Sequence, residues 1–193
     1  MKQQTNLGYS FPLATGYANF SNLATASVST GTVGIAIQGC NEVGKYSIYE
    51  IANWFLSKEA MTHKKLQKLC YYAQAWFITL KDIRLADTVF EAWIHGPVSP
   101  ALYDRFKEFG YSKILIKDGY ISAVDEIDIE LLESVWQTYG DHTGNALESL
   151  SHKEQPWISA RIGYDAEERC NVPISLDVMK AYYRTIYTGG NVG

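Results

Sequence analysis

A long amphipathic segment in the first half of the chain constrains its fold more than any other feature. Apolar residues recur at three- and four-residue steps from Leu66 to Leu80, which places them on one face of a helix about five turns long. Thr62 is the predicted N-cap, because its hydroxyl can accept a hydrogen bond from a first-turn amide. Three lysines fall outside the apolar stripe and are expected to form a basic edge in solvent: Lys64, Lys65 and Lys68. We expect the rest of the chain to pack against the apolar face.

A turn followed by a second helix start comes next, in the segment IHGPVSPALY. Gly96 and Pro97 interrupt regular structure, and Ser99 and Pro100 then supply an N-cap and a first-turn proline. A helix is therefore predicted to begin at Pro100 and to close at Gly110. It is expected to bury four side chains: Leu102, Tyr103, Phe106 and Phe109. The preceding segment VFEAWI is either a short strand or an extended segment, and periodicity does not decide between them.

Further capping signals divide the rest of the chain. Ser47 with Glu50 forms a capping box at the start of a helix that ends near Lys58. Two more helices are predicted from Asp128 to Tyr139 and from Thr143 to Leu150, and Ser175 caps a last one. Asp118-Gly119 lies between two β-prone runs and predicts a small hairpin near residues 113–122. The predicted fold is mostly α, with five to six helices around the long central helix and a small β element.

The composition divides the chain into three parts. Residues 1–45 carry few charges and are rich in Gly, Ser, Thr and Ala, which predicts a weakly ordered or β-prone extension. Residues 46–188 form the predicted domain, and residues 189–193 form a flexible tail. We hypothesise that the extension selects the partner.

Charge and cysteine content exclude several classes of protein. The net charge of -4 argues against broad attraction to nucleic acid. The sequence has no apolar run of membrane-spanning length and no secretory signal, so a cytoplasmic location without membrane contact is expected. Three widely spaced cysteines indicate neither a disulfide framework nor a zinc site. The sequence has four histidines: His63, His95, His142 and His152. None lies in a metal-binding motif, so neither metal nor cofactor is expected.

Several motifs in order carry a resemblance to a known family: LQKLCYYAQAWF, EAW, HGPVSPALY and SHKEQPWISAR. Together they resemble the Panacea domain of phage- and prophage-associated proteins, also described as SocA-like antitoxins. The resemblance runs from about Tyr46 to about Tyr187. The residues that match the family motif are Leu66, Gln67, Lys68, Leu69, Tyr71, Tyr72, Gln74, Trp93, Gly96, Pro97, Val98, Pro100, Tyr103, His152, Pro156 and Trp157.

The resemblance implies a compact helical domain that binds a toxic partner protein, keeps it inactive and has no catalytic residues. It also implies that some members deliver the toxin to a protease. Three alternatives stay open. One is a phage or prophage protein that inhibits a host defence enzyme. Another is a DNA-binding regulator, which the tyrosines and Trp76 on the second helix of the first helix pair disfavour. The third is a hydrolase with His95 or His152 as base.

The excess of tyrosine and tryptophan indicates where a partner would bind. Tyrosine offers a large contact area with little conformational entropy to lose, which suits interfaces. The predicted partner-binding patch comprises Tyr71, Tyr72, Trp76, His95, Tyr103 and Arg105. The alternative is that these side chains complete the core. His95, beside the Gly96-Pro97 turn, either faces a cleft or holds the turn through a backbone carbonyl.

Overall fold

The computed structural model describes residues 43–115 and 120–187 and confirms a mostly helical fold. These ranges contain seven α-helices: α1 Ile48–Lys58, α2 His63–Lys81, α3 Pro100–Phe106, α4 Glu126–Tyr139, α5 Gly144–Ser151, α6 Gln155–Ala160 and α7 Leu176–Tyr187. Four short strands form two antiparallel pairs: β1 Met61–Thr62 with β4 Lys113–Ile114, and β2 Glu91–Trp93 with β3 Gly96–Val98. The helix beyond the expected five to six is the short α6.

The long helix α2 is the centre of the domain. Helices α1, α4, α5 and α7 all pack against it, and every residue from Leu66 to Thr79 is buried. The predicted basic edge is therefore corrected at Lys68, which is only 1% exposed. Lys68 lies off the apolar stripe, but its side chain does not reach solvent because helices cover α2 on more than one side. Lys64 and Lys65, one turn earlier, are partly exposed.

Local capping chemistry sets the starts of α1, α2 and α3 as predicted, whereas α4 begins at Glu126, two residues before the predicted Asp128, without a side-chain cap. Ser47 and Glu50 form the full capping box of α1. The Thr62 hydroxyl accepts a hydrogen bond from the Lys65 amide at 3.3 Å, and the Ser99 hydroxyl accepts one from the Leu102 amide at 3.4 Å. These bonds confirm that side chains within one turn satisfy the free amides of each helix start.

The helix α3 is less buried than its spacing predicts. Leu102 and Phe106 face the core, as expected. Tyr103 is 38% exposed and Phe109 is 42% exposed, which corrects their assignment to the core. The reason is that α3 ends at Phe106, before the predicted Gly110, and only one narrow face of it meets α1 and α2, while Phe109 lies in the 3₁₀ turn that follows.

The β element near residues 113–122 is built differently from the predicted hairpin. Lys113–Ile114 pairs with Met61–Thr62 at the start of α2, and Tyr120 and Ile121 lie outside any strand. The Asp118-Gly119 turn lies outside the described residues. The small hairpin of the structure is β2–β3, which settles VFEAWI as partly strand. Residues 1–42 and 188–193, with most of the predicted extension and the tail, also lie outside the described residues.

Within residues 43–115 and 120–187, no helix is long and apolar enough to cross a membrane. In the same ranges, no group of three or more His, Cys, Asp or Glu side chains is placed to hold a metal ion. Cys70 and Cys170 are buried free thiols.

Candidate functional site

The β2–β3 hairpin carries part of the family motif and has an exposed turn. Its turn carries His95, whose side chain is 71% exposed, next to Gly96. Gly96 has φ +88°, a conformation that residues with a side chain rarely adopt. A Cβ there would lie 2.9 Å from both Lys68 Cε and Ser151 Oγ. Glycine is therefore required both for the backbone conformation and for the close approach of α2 and α5.

Two neighbouring residues of α2 hold the second strand of the hairpin. The Gln67 amide pairs with the backbone of Ser99 in both directions: Nε2 donates to the carbonyl at 3.0 Å and Oε1 accepts from the amide at 2.8 Å. Lys68 Nζ donates to the Pro97 carbonyl at 3.0 Å. All three bonds are buried, so water does not compete for them.

Two residues of the α6 region hold the first strand. Trp157 Nε1 donates to the Trp93 carbonyl at 3.0 Å. Arg161, at the C-terminal end of α6, donates from Nη1 to the Ala92 carbonyl at 3.0 Å and lies over the Trp157 ring. Side chains from two separate helices thus fix the hairpin backbone from both sides. The conformation of the hairpin is therefore preorganised and does not depend only on the few backbone hydrogen bonds between its own strands.

The charges behind the hairpin are strongly perturbed. Burial lowers the pKa of Lys68 to about 7, although nearby Glu148 acts in the opposite direction. Glu148 accepts a hydrogen bond from Lys64 Nζ at 2.5 Å, and its second oxygen lies 3.0 Å from His95 Nδ1. Burial acts to raise the pKa of Glu148, but these partners outweigh it and the pKa is lowered. The negative charge of Glu148 is therefore engaged by its own neighbours.

Exposed and half-buried aromatic and cationic side chains extend from the hairpin across α3. The Tyr103 ring makes edge contacts with Trp93, at 4.9 Å between centroids, and with His63, at 5.5 Å. The Arg105 guanidinium lies 5.6 Å from the centre of the Tyr49 ring. We call this area the hairpin surface, and it consists of Tyr49, His63, Trp93, His95, Tyr103 and Arg105.

Residues 66–158, which contain most of this arrangement, match the family described as Antitoxin SocA-like, Panacea domain. This part of the chain is a Panacea domain. Antitoxin SocA of Caulobacter vibrioides (strain NA1000 / CB15N) is 34% identical to the chain over 124 residues, which cover 55% of the chain and 66% of the relative. The chain thus spans slightly less than two thirds of that relative's length. No solved structure matches the chain.

The six predicted partner-binding residues fall into an exposed group and a buried group in the Panacea domain. His95, Tyr103 and Arg105 are exposed and belong to the hairpin surface. Tyr71, Tyr72 and Trp76 are 0% exposed, which corrects their assignment to a surface patch and supports the alternative that they complete the core. They lie under other helices of the domain: Tyr72 stacks on Tyr139 of α4, and the Trp76 ring meets Tyr183 of α7.

A buried carboxyl group lies among these tyrosines. Glu154 is 1% exposed and accepts hydrogen bonds from the hydroxyls of Tyr72, at 3.3 Å, and Tyr183, at 2.7 Å. Burial raises the pKa of Glu154 to about 8, although both hydrogen bonds act to lower it. From the sequence, Glu154 belongs to a polar helix end, so its place in the core was not predicted.

Two further motif residues, Gln74 and His152, have structural contacts. Gln74 Oε1 accepts from the Ala86 amide at 3.0 Å. The His152 ring stacks on Trp157 at 4.1 Å, and burial lowers its pKa. His95 contacts Glu148 rather than a backbone carbonyl, so it faces solvent at the hairpin tip. Arg161 and Glu148 were not predicted as site residues. The helical spacing of Trp157 and Arg161 is the sequence signal that places both on one face of α6.

Proposed function

We propose that this protein is an antitoxin that binds a cognate protein toxin directly, and that the hairpin surface makes the contact. The observation that carries the proposal is that side chains of the family motif anchor the hairpin whose exposed turn, at His95, lies on the same surface as Tyr103. Gln67, Lys68 and Trp157 hold the hairpin backbone, and Gly96 permits its close packing. The similarity to Antitoxin SocA supports a toxin as the partner. The proposed role requires no catalytic residue or cofactor, and we expect the complex to form in the cytoplasm.

The chemistry of the hairpin surface suits a protein partner. Interfaces gain most of their affinity from a few aromatic and arginine side chains that are held in place before binding. Tyr103 is fixed between two rings and Arg105 lies over a third, so little rotamer freedom remains to be lost. Tyr49 and Tyr103 are 40% and 38% exposed, which leaves area to be buried on binding.

DNA recognition by the α1–α2 pair is not favoured by this arrangement. A recognition helix must place polar side chains in the major groove. Helix α2 is buried from Leu66 to Thr79, so it has no free face of that length to offer. The net charge of -4 acts in the same direction.

The test is co-expression of the full chain with each small neighbouring gene product, with growth rescue and co-purification as readouts. In the resulting complex, Tyr103→Ala is expected to weaken binding by about thirtyfold, the loss of a hot-spot residue. Tyr187→Ala is the matched control, because Tyr187 is 46% exposed and contacts Trp76. His63 and Trp76 are 13 positions apart in α2, which separates the two sites by about 20 Å. Equal effects of the two variants would contradict the proposed surface.

Two finer points belong to the same proposal. We expect the antitoxin to deliver the toxin to a protease, which predicts a shorter toxin half-life in its presence and no such change in a protease-deficient strain.

The alternative partner is a host defence enzyme inhibited by a phage-encoded protein. That alternative would be favoured if no neighbouring gene product is toxic and the chain instead protects phage from a host enzyme.

A further inference from the structure

A hollow of about 210 Å³ opens beside the hairpin surface and shares Trp93 and His95 with it. Its other lining residues are Ile94, Arg169, Cys170 and Asn171. We propose that this hollow binds an acidic side chain of the protein partner, with the Arg169 guanidinium as the main recognition group. The inference rests on the proposed function, because it names the chemistry of one contact within the toxin interface.

Arg169 supplies a positive charge that the domain does not use. Within residues 43–115 and 120–187, its exposed side chain forms no hydrogen bond, ion pair or ring contact. Three carboxylates in the surrounding segments already have other partners. Glu91 accepts from Trp93 Nε1 at 2.7 Å, Glu148 is held by Lys64, and Glu168 accepts from the Asp165 amide at 3.1 Å. No carboxylate of the described residues pairs with this guanidinium, so it is available to one from a partner.

The walls of the hollow are fixed before any ligand binds. Arg161 Nη1 holds the Ala92 carbonyl on the hairpin side, while its Nη2 donates to the carbonyls of Asp165, at 2.7 Å, and Glu168, at 2.8 Å, on the opposite side. One buried guanidinium thus ties both walls together. The Ala92 amide also donates to the Val172 carbonyl at 3.0 Å. Such preorganisation lowers the entropy cost of binding.

The lining suits a carboxylate on a short apolar stem. A guanidinium forms two parallel hydrogen bonds to a carboxylate, which is a stronger and more directional pairing than a single bond. Trp93 and Ile94 offer apolar contacts to the methylene groups of a Glu or Asp side chain, and the Asn171 amide can donate a further bond. The net charge of -4 disfavours the polyanionic backbone of a nucleic acid as the source of the anion.

The first experiment needs no toxin. The full chain, labelled with ¹⁵N, is titrated at low salt with the peptide acetyl-Gly-Glu-Glu-Gly-amide. Saturable shifts of the Trp93 indole and Arg169 side-chain signals are expected. Acetyl-Gly-Lys-Lys-Gly-amide should leave both signals unchanged, and Arg169→Met should abolish the response to the acidic peptide. Absence of shifts in the wild-type chain up to millimolar peptide would overturn the inference.

The second experiment uses the toxin complex. Arg169→Glu is expected to weaken binding by about tenfold or more, the value of a charge-assisted hydrogen bond, and Arg169→Lys by less. Lys153→Glu, an exposed charge reversal outside the lining, is the control. Toxin suppressors of Arg169→Glu should replace one Asp or Glu by Lys or Arg. If Tyr103→Ala loses toxin binding while Arg169→Glu retains it, the inference fails and the proposed function stands. If the wild-type chain binds no toxin, the proposed function fails and the peptide titration still decides the chemistry of the hollow.

Discussion

Replacement of Glu154 by glutamine is expected to stabilise the domain at neutral pH. In the folded state the pKa of Glu154 is raised from 4.5 to about 8, chiefly by burial. A carboxyl with a raised folded-state pKa binds its proton more tightly in the folded chain. Its contribution to stability is therefore complete below pH 4.5 and is lost as the pH rises through about 8. Glutamine is neutral at every pH and keeps an oxygen that can accept from Tyr72 and Tyr183.

The size of the effect follows from the two pKa values. At pH 7 the unfolded carboxyl is fully ionised and the folded one is mostly protonated, which costs about 3 kcal/mol of folding free energy at 1.36 kcal/mol per unit. Above pH 8 the cost reaches about 5 kcal/mol. Glu154→Gln should therefore raise the Tm at pH 7 by roughly 6 to 12 °C for a chain of this size.

Thermal and urea unfolding of the wild-type chain and the variant, from pH 4 to pH 9, measure this difference. All other titrating groups are common to the two proteins, so the difference between their stability curves isolates Glu154. It should be near zero at pH 4 and grow up to about pH 8. Glu167→Gln, at an exposed position, controls for the loss of one negative charge. A variant that is less stable than the wild-type chain at pH 7, with a parallel pH profile, would refute the reasoning.

Three further predictions concern Lys68, Gly96 and the N-terminal residues. Because burial lowers the pKa of Lys68 to about 7, the stability of the wild-type chain relative to Lys68→Met should rise with pH between about 7 and 10.5. Urea unfolding of both proteins across this range measures the difference, in which the titrating groups that they share cancel. Gly96→Ala should destabilise by about 2 kcal/mol or more, because of its φ of +88° and two contacts at 2.9 Å. Gly110→Ala, where φ is +51° but no atom lies within 4 Å of the added Cβ, carries backbone strain without the steric clash and should destabilise less in the same assay. Deletion of residues 1–42, which leaves Lys45 paired with Asp128, should keep the Tm but reduce neutralisation; full neutralisation would contradict the selecting role.

Helix starts could be predicted because their causes lie within one turn of sequence. Ser47, Thr62 and Ser99 each accept a hydrogen bond from an amide two or three residues ahead, so no knowledge of the tertiary fold is needed. The same argument marks α6 in retrospect, since Pro156 lies in its first turn. That signal is weak for a six-residue helix, which has too few turns for a periodic pattern.

Burial around α2 could not be predicted in the same way. The apolar stripe identifies one face that must be covered, but it does not show how many helices cover the others. Tyr72 is suited by size and polarity to an interface or to a core with hydroxyl partners. The partners that decide between these lie far away in the sequence: Tyr139 on α4, Glu154 just before α6 and Tyr183 on α7. Sequence spacing alone carries no information about such long-range partners.

The burial of Lys68 lowers the stability of the folded chain, and its contact with the hairpin offers a functional reason for it. A buried lysine with a pKa near 7 destabilises the folded chain relative to an apolar residue of similar size. Within the described residues its side chain makes one hydrogen bond, to the Pro97 carbonyl, next to the positive-φ Gly96 and two residues from His95. If Lys68 serves stability, Lys68→Met should weaken folding; if it positions the hairpin, the variant should fold more stably at pH 6 and yet bind the toxin less tightly. The geometry favours the second outcome, because Gln67 already anchors the strand at Ser99 and Lys68 controls only the backbone nearest the exposed turn. Unfolding and binding measured on the same preparation separate the two roles.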